Sequence, residues 1–332
     1  MLFEFDSDQQ LWQKTVREVT AKECPSTLVR TVVDNGADPA PLWKTYVGLG
    51  WTELVESEAA VELAIVLEEL GRATDPTPFL ATTTQFAPLV AGRTRPDRAG
   101  AAVYEGISAV RDADGWLLRG TAHRVLDGDR ADDIAVVTDA GVFTVRADQV
   151  SARRTSAFDP VLHLADIVFD DVRVETDPDT DVDVEKARHV ALAGLAVTMV
   201  GACRRILDLA LDHVRNRQQF GVPIGSFQAV KHRAADMHVA VERARALAYF
   251  AALTIAEDDP RRRLAASMAK AAAGECQSTV FRSGLQLFGA MGFTWENDLQ
   301  FALKRARAGE HMLGSAAEHR ALIAEEYRAT LV

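Results

Sequence analysis

Cysteine is scarce in this chain: Cys24, Cys203 and Cys276 are the only three among 332 residues. They are odd in number, widely separated and free of CxxC spacing. That pattern predicts buried or free thiols in a reducing cytoplasm and excludes a disulfide framework. Positive charge is short as well, with 37 Lys and Arg against 48 Asp and Glu, a formal net charge of −11. Nucleic acids and anionic membranes are gripped by clustered Lys and Arg, so this balance excludes both as partners. It leaves room for a local basic pocket around a phosphorylated ligand. No apolar run approaches the roughly 20 residues of a membrane span. The most apolar stretch, Val190 to Val200, is studded with Ala and Gly and leads into Arg204–Arg205, which predicts a buried helix. The opening MLFEFDSDQQ carries acids where a secretory signal carries bases, and so predicts a cytoplasmic protein. Internal repeats and low-complexity segments are missing too.

What is present has the composition of a soluble globular protein, 48% hydrophobic and 26% charged, and is long enough for two or three cooperating units. The first hundred residues read as helical. Asp6, Ser7 and Asp8 are N-cap candidates for a helix through LWQKTVREVTAKE that Pro25 ends. Pro41 opens a short helix stopped by Gly48 and Gly50. Ala59 to Leu70 has helical spacing with Gly71 as its stop, and a further helix follows Pro78 up to Gly92. After about residue 100 strands take over. Ile107–Val110 and Trp116–Leu118 flank an Asp114–Gly115 turn, DDIAVVTDAGVFTVRAD turns at Asp139–Gly141, and ADIVFDDVRV adds another strand. The acidic ETDPDTDVD, Glu175 to Asp183, reads as a solvated linker. Helical spacing then returns at about 183–216, at 226–257 with Ser226 as cap, at 260–288, and from near Ser315. Helices this Ala-rich pack as an antiparallel bundle. The predicted fold is α+β, mainly α, in three consecutive domains: helical over 1–97, a small β domain over 98–178, and a helical bundle over 179–332.

Two segments carry chemistry. In RNRQQFGVPIGSFQAVKHRAADM, residues 215–237, an Arg beside a tight Phe-Gly turn lies between two long helices. A planar fork donor there suits a phosphate or pyrophosphate, although an inter-helix turn with a surface Arg has the same spacing. In LQLFGAMGFTWENDLQFALKRA, residues 285–306, Gly289 and Gly292 either admit a ligand close to the backbone or form a plain helix stop.

Together and in this order the two segments resemble the acyl-CoA dehydrogenase family. Arg217, Gln219, Phe220 and Gly221 are similar to its R-x-Q-F-G flavin motif. Gln286, Leu287, Phe288, Gly289, Gly292 and Phe293 resemble its Q-x-hydrophobic-G-G-x-G-[FY] signature, with Ala290 in place of the second Gly. EELGR at Glu68–Arg72, WLLRG at Trp116–Gly120 and ADDIAVV extend the likeness over nearly the whole chain. The resemblance implies FAD shared across a subunit interface, an acyl-CoA substrate and an electron-transfer flavoprotein as acceptor. It places Arg217 on the pyrophosphate and Gln219, Phe220, Gln286, Leu287, Gly289 and Ser315 around the dinucleotide.

The resemblance also exposes what is missing. The family removes an α-proton with a Glu that opens an E-G-[TS] triplet, and here the triplet reads Leu313–Gly314–Ser315. A minority of members carry the Glu at the start of the first long C-terminal helix, where this chain has Ala191. Residues 92–106 hold nothing like the family's T-E-P-x-x-G-S-D loop, and WTELVESEAAVELA lacks a Gly-rich loop. No catalytic residue is therefore assigned. The implied role is the short, non-base subunit of an α2β2 acyl-CoA dehydrogenase of the kind that degrades steroid side chains, with a longer partner supplying the base. Two alternatives stay open: a self-sufficient homomer with a displaced base, Glu310 or Glu185 (beside His311 and His189), and a scaffold that keeps the fold without the reaction.

Overall fold

The computed structural model describes residues 5–329 apart from Glu56 and Ala91, with the backbone alone at Ser57 and Ala329; part of the acidic N-terminal stretch thus lies outside the described residues. Helix α1 (Ser7–Glu23) starts on Asp6, whose carboxylate accepts from the backbone N–H groups of Asp8 and Gln9 at 2.9 Å each. Gln9 reaches back to the Asp6 N–H, completing a capping box. Then come α2 (Ser26–Asn35), α3 (Ala40–Gly48), α4 (Ala60–Ala73), and α5 (Phe79–Ala81) joined to α6 (Ala87–Val90) by a π-helical turn. Seven strands follow: β1 (Gly100–Val103), β2 (Ile107–Asp112), β3 (Gly115–Leu126), β4 (Asp133–Thr138), β5 (Gly141–Arg146), β6 (Ser151–Thr155) and β7 (Leu164–Val174). The rest is α7 (Val184–Asn216), β8 (Gln218–Gln219), β9 (Val222–Pro223), α8 (Gln228–Ala256), α9 (Arg262–Phe288), α10 (Leu299–Glu310) and α11 (Ala316–Ala329).

Contacts gather these elements into two compact units that interleave along the chain. One comprises residues 37–59 and 76–191; the other comprises 1–36, 60–75 and 192–332. The boundaries expected at 97/98 and 178/179 do not coincide with them.

In the first unit β2-β3-β7-β6 form an antiparallel sheet, while β4 pairs antiparallel with β5 and parallel with β1. Val103, Leu118, Ile134, Val136, Phe143 and Ile167, drawn from both sheets, make one buried core. Phe86, Leu89 and Val90 pack on Ala102, Ala135 and Val142. Gly100 permits this approach: a Cβ there would stand 2.1 Å from the Phe86 ring.

The second unit explains the EELGR sequence. Gly71 does not stop α4, which runs on to Ala73. Instead it lets α4 and α7 cross with their backbones in contact. A Cβ at Gly71 would lie 2.1 Å from the Thr198 carbonyl, and one at Gly201 would lie 1.9 Å from the Glu68 carbonyl. Both acids beside the crossing are buried and neutralised. Glu68 accepts from Arg245 Nε at 3.0 Å and the Tyr249 hydroxyl at 2.7 Å, and Glu69 accepts from Arg17 at 2.6 Å. Burying such carboxylates is tolerable only with partners of this kind. Around the crossing, α9 packs along α8, α10 and α11. Buried alanines such as Ala248, Ala251, Ala266, Ala269 and Ala273 keep those helices close. Two further corrections apply. Ser226 does not cap α8, since its hydroxyl donates to the Pro223 carbonyl at 2.7 Å and the helix begins at Gln228. The segment 299–310 is a helix of its own, α10.

Candidate functional site

The two signature segments meet. A cleft of about 500 Å³ opens in the second unit where α7 ends, the β8–β9 hairpin turns, α8 begins and α9 stops. The hairpin is two residues against two, and its loop, Phe220–Gly221, has φ of 56° and 79°. A tight turn of this hand needs positive φ at both central positions. Glycine meets that freely, whereas phenylalanine rarely does, and Phe220 is also 91% exposed. Strain and exposure of an aromatic at one spot mark a surface shaped for a ligand or partner. Phe227 meets Phe220 edge-to-face, with centroids 6.1 Å apart.

Arg217 is pinned through its backbone: its N–H donates to the His213 carbonyl at 2.8 Å and its carbonyl accepts from Ile224 at 2.8 Å. The side chain is exposed at the cleft. Arg233 lines the same cleft, on the face of α8 that also presents Ala229 and Val230. Among the described residues neither guanidinium has an ion-pair partner. His213 stacks on Phe288 with centroids 4.3 Å apart and 15° between planes. Burial, and the charge of Arg217, hold the His213 pKa below its ordinary value. On the other wall α9 ends at Gly289, φ 61° and ψ −141°, a conformation open to glycine. No atom comes within 4 Å of where its Cβ would be, so the backbone faces open space there. Gly292 serves differently: its missing side chain makes room for Phe288 and Leu285, at 3.1 and 3.2 Å from a built Cβ.

Six of the seven residues expected at a cofactor line this cleft: Arg217, Gln219, Phe220, Gln286, Leu287 and Gly289. Ser315 does not. It caps α11, its hydroxyl and N–H bonded to Glu318 at 2.8 and 2.6 Å. Arg233, His213 and Phe288 also line it but were not among the expected seven, although Phe288 stands in the signature and Arg233 lies within the 215–237 segment, one helical turn from Val230. The donor set fits a dinucleotide: two unpaired guanidiniums for a pyrophosphate, exposed aromatic surface, and a backbone that a ligand can approach. Among the described residues no cluster of His, Cys, Asp or Glu could hold a metal ion.

The triplet loop is built with care despite lacking a base. Leu313 and Gly314 both have positive φ, 54° and 91°. Each residue from 313 to 316 has a backbone group held by a side chain. His319 Nε2 binds the Leu313 carbonyl at 2.8 Å, and the Lys270 ammonium binds that of Gly314 at 2.5 Å. Glu318 takes the Ser315 N–H at 2.6 Å, and Glu310 takes that of Ala316 at 3.0 Å. Glu310 is therefore a brace. Its other oxygen is buried against Gly274, without a hydrogen-bond partner among the described residues. Glu185 points outward with a 62% exposed side chain, 4.0 Å from His189, and Ala191 is buried.

Comparison with known proteins agrees with this geometry. The family model described as acyl-CoA dehydrogenase, C-terminal domain, matches residues 187–327. Acyl-CoA dehydrogenase IpdE2 of Mycobacterium tuberculosis (strain ATCC 25618 / H37Rv) is 35% identical over 321 residues, covering 94% of each chain. Among solved structures, a chain of the ChsE4-ChsE5 complex from Mycobacterium tuberculosis superposes with a TM-score of 0.88 at 23% identity, covering 99% of each chain. A steroid ACAD, Tcur3481-Tcur3483, gives 0.85 at 23% identity over 98% of each.

Proposed function

Because this chain belongs to the acyl-CoA dehydrogenase family, whose members are FAD-dependent flavoproteins, we propose that it is the non-base subunit of a heteromeric acyl-CoA α,β-dehydrogenase. In this reading Arg217 and Arg233 hold the FAD pyrophosphate, and Gln219, Phe220, Gln286, Leu287 and Gly289 surround the dinucleotide. A longer partner subunit supplies the catalytic carboxylate. Bound FAD supplies the acceptor for the substrate's β-hydride.

One observation carries the reading. The loop whose sequence resembles the family's base-bearing triplet is braced at four consecutive residues here, yet presents Leu313, which cannot take a proton. Removing a weakly acidic α-proton requires a carboxylate within about 3 Å of it, in a site that excludes water. Glu310 is turned inward, one oxygen holding the Ala316 N–H and the other buried against Gly274, which weighs against a displaced base at that position. What this chain does in the reaction is bind and orient. Its guanidiniums offset phosphate charge, and the apolar Leu313, 37% exposed, helps to keep water from the partner's carboxylate.

The ChsE4-ChsE5 structure is a complex of two named proteins, which supports a two-chain assembly. The steroid ACAD likeness supports a steroid-derived acyl-CoA as substrate. An electron-transfer flavoprotein is proposed as acceptor. Expression with and without a longer family member tests the assembly. The pair should be yellow and desaturate acyl-CoA, and the chain alone should do neither. Activity of the chain alone, abolished by Glu310→Gln or Glu185→Gln, would establish the homomer instead. A colourless, inert pair would establish the scaffold.

A further inference from the structure

The helical unit holds a second cleft, of about 440 Å³, that shares no lining residue with the first. Its walls are the C-terminal ends of α1 and α4, the start of α2, Arg205 of α7 and the start of α10. Three guanidiniums face it, those of Arg17, Arg72 and Arg205, with the carboxylates of Glu69 and Asp298. Most of these charges are spoken for. Arg17 holds Glu69 at 2.6 Å, Arg72 holds Asp208 at 2.8 Å, and Asp298 is taken by Arg30 at 2.7 Å.

Arg205 is left over. It is half-buried, and among the described residues no hydrogen bond or ion pair holds its guanidinium. Burial and the like charge of Arg72 push its pKa down, against the pull of Asp208 and Asp298, which are committed to other arginines. A cation taken partly out of water without a counter-ion is costly, and an anion in the cleft would relieve that cost.

Thr74 points the same way. It closes α4 with φ at 59°, a left-handed conformation that a β-branched residue adopts only under strain. The backbone is held by bonds from Thr74 N–H to the Gly71 carbonyl and from Asp75 N–H to the Leu70 carbonyl, 3.2 and 3.0 Å. The side chain is 3% exposed and lines the cleft, its hydroxyl bonded to no described residue. A free donor thus sits in the same cleft as an uncompensated guanidinium.

We propose that this cleft is a binding site for a small organic monocarboxylate. The carboxylate lies on Arg205 and the Thr74 hydroxyl, and the apolar body rests against Val29, Phe301 and Ala302. Arg205 offers a single unpaired guanidinium fork, and the nearby Glu69 and Asp298 repel a phosphate dianion more strongly than a monocarboxylate. The guanidinium fork matches a carboxylate with two parallel hydrogen bonds. The volume falls within the roughly 300–1,000 Å³ of small-molecule sites. The inference stands apart from the role proposed above, since none of its residues belongs to the FAD cleft.

Calorimetric titration of the purified chain, with its partner if the two co-purify, tests it with hexanoate, acetate and inorganic phosphate at constant ionic strength. Hexanoate should saturate one site per chain and bind more tightly than acetate, while phosphate should give no saturable signal. Arg205→Gln should weaken hexanoate by about tenfold or more, the loss of a charge-assisted bond, and Arg217→Gln in the other cleft should not. Thr74→Gly guards against misfolding as a confounder, because it relieves the backbone. It should raise the melting temperature and still weaken hexanoate. Absence of saturable hexanoate binding, equal affinity in Arg205→Gln, or phosphate binding as tight as hexanoate would each overturn the proposal.

Discussion

Lys270 has no exposed surface, and burial pushes its pKa down to about 8, partly offset by the nearby carboxylates of Glu310 and Glu318. Its ammonium nonetheless donates to the carbonyls of Glu310 and Gly314 at 3.3 and 2.5 Å, so a destabilised charge is what fastens the triplet loop. The sign of the pH dependence follows. Unfolded, the side chain titrates near 10.5. Between about 8 and 10.5 the unfolded chain therefore binds more protons than the folded one, and stability rises with pH across that window. Below it, the fold disfavours the charged form relative to the neutral one by on the order of 3 kcal/mol. Lys270→Met removes the titration. Urea unfolding at a series of pH values should show wild type gaining on this variant by up to about 3 kcal/mol between pH 7 and 10.5. A constant difference between the two proteins would show that the ammonium is not destabilised by burial.

At the scale of elements, the α4–α7 crossing is the tightest test of the helical unit, because two glycines make it and neither can carry a methyl group. Gly201→Ala would drive a Cβ to 1.9 Å from the Glu68 carbonyl, while α4 is held by the Glu68 and Glu69 ion pairs and tied to α7 by Arg72–Asp208. The expected loss is about 3 kcal/mol or more, the upper end for overpacking. Gly48→Ala, in open space on α3 with no positive φ, should instead gain about 0.5–1 kcal/mol. Chemical denaturation of both variants checks the pair, and equal effects would contradict the crossing. The same glycine shows where sequence reading stops. Gly71 reads as a helix stop because local propensity disfavours it, while its purpose is a contact with Thr198, more than a hundred residues away. The α1 cap was legible because Asp6 and Gln9 are neighbours. Strands β1 and β6 were not, since one is buried along its whole length and the other almost wholly exposed, so neither alternates. Helices α2 and α10 hide behind Pro25 and the glycine-rich signature, which look like loop from one side.

For the whole molecule, a chain of net charge −11 presents two unpaired arginines in one cleft. Local placement, not overall charge, makes that corner attractive to a pyrophosphate. Arg217 was legible there because the hairpin motif fixes it, whereas Arg233 reaches the cleft through the course of α8, which no short motif records. If both cradle the same phosphates, losing either should weaken FAD by a charge-assisted hydrogen bond or two, about 10- to 100-fold. In complex with its partner, Arg217→Gln or Arg233→Gln should purify with less than full FAD, read by flavin absorbance against protein. Activity should return on adding FAD, with KM for acyl-CoA unchanged, because the base and the acyl pocket would belong to the other chain. Full flavin content in both variants would remove the pyrophosphate from this cleft. A raised KM that added FAD does not correct would place the acyl-CoA there instead.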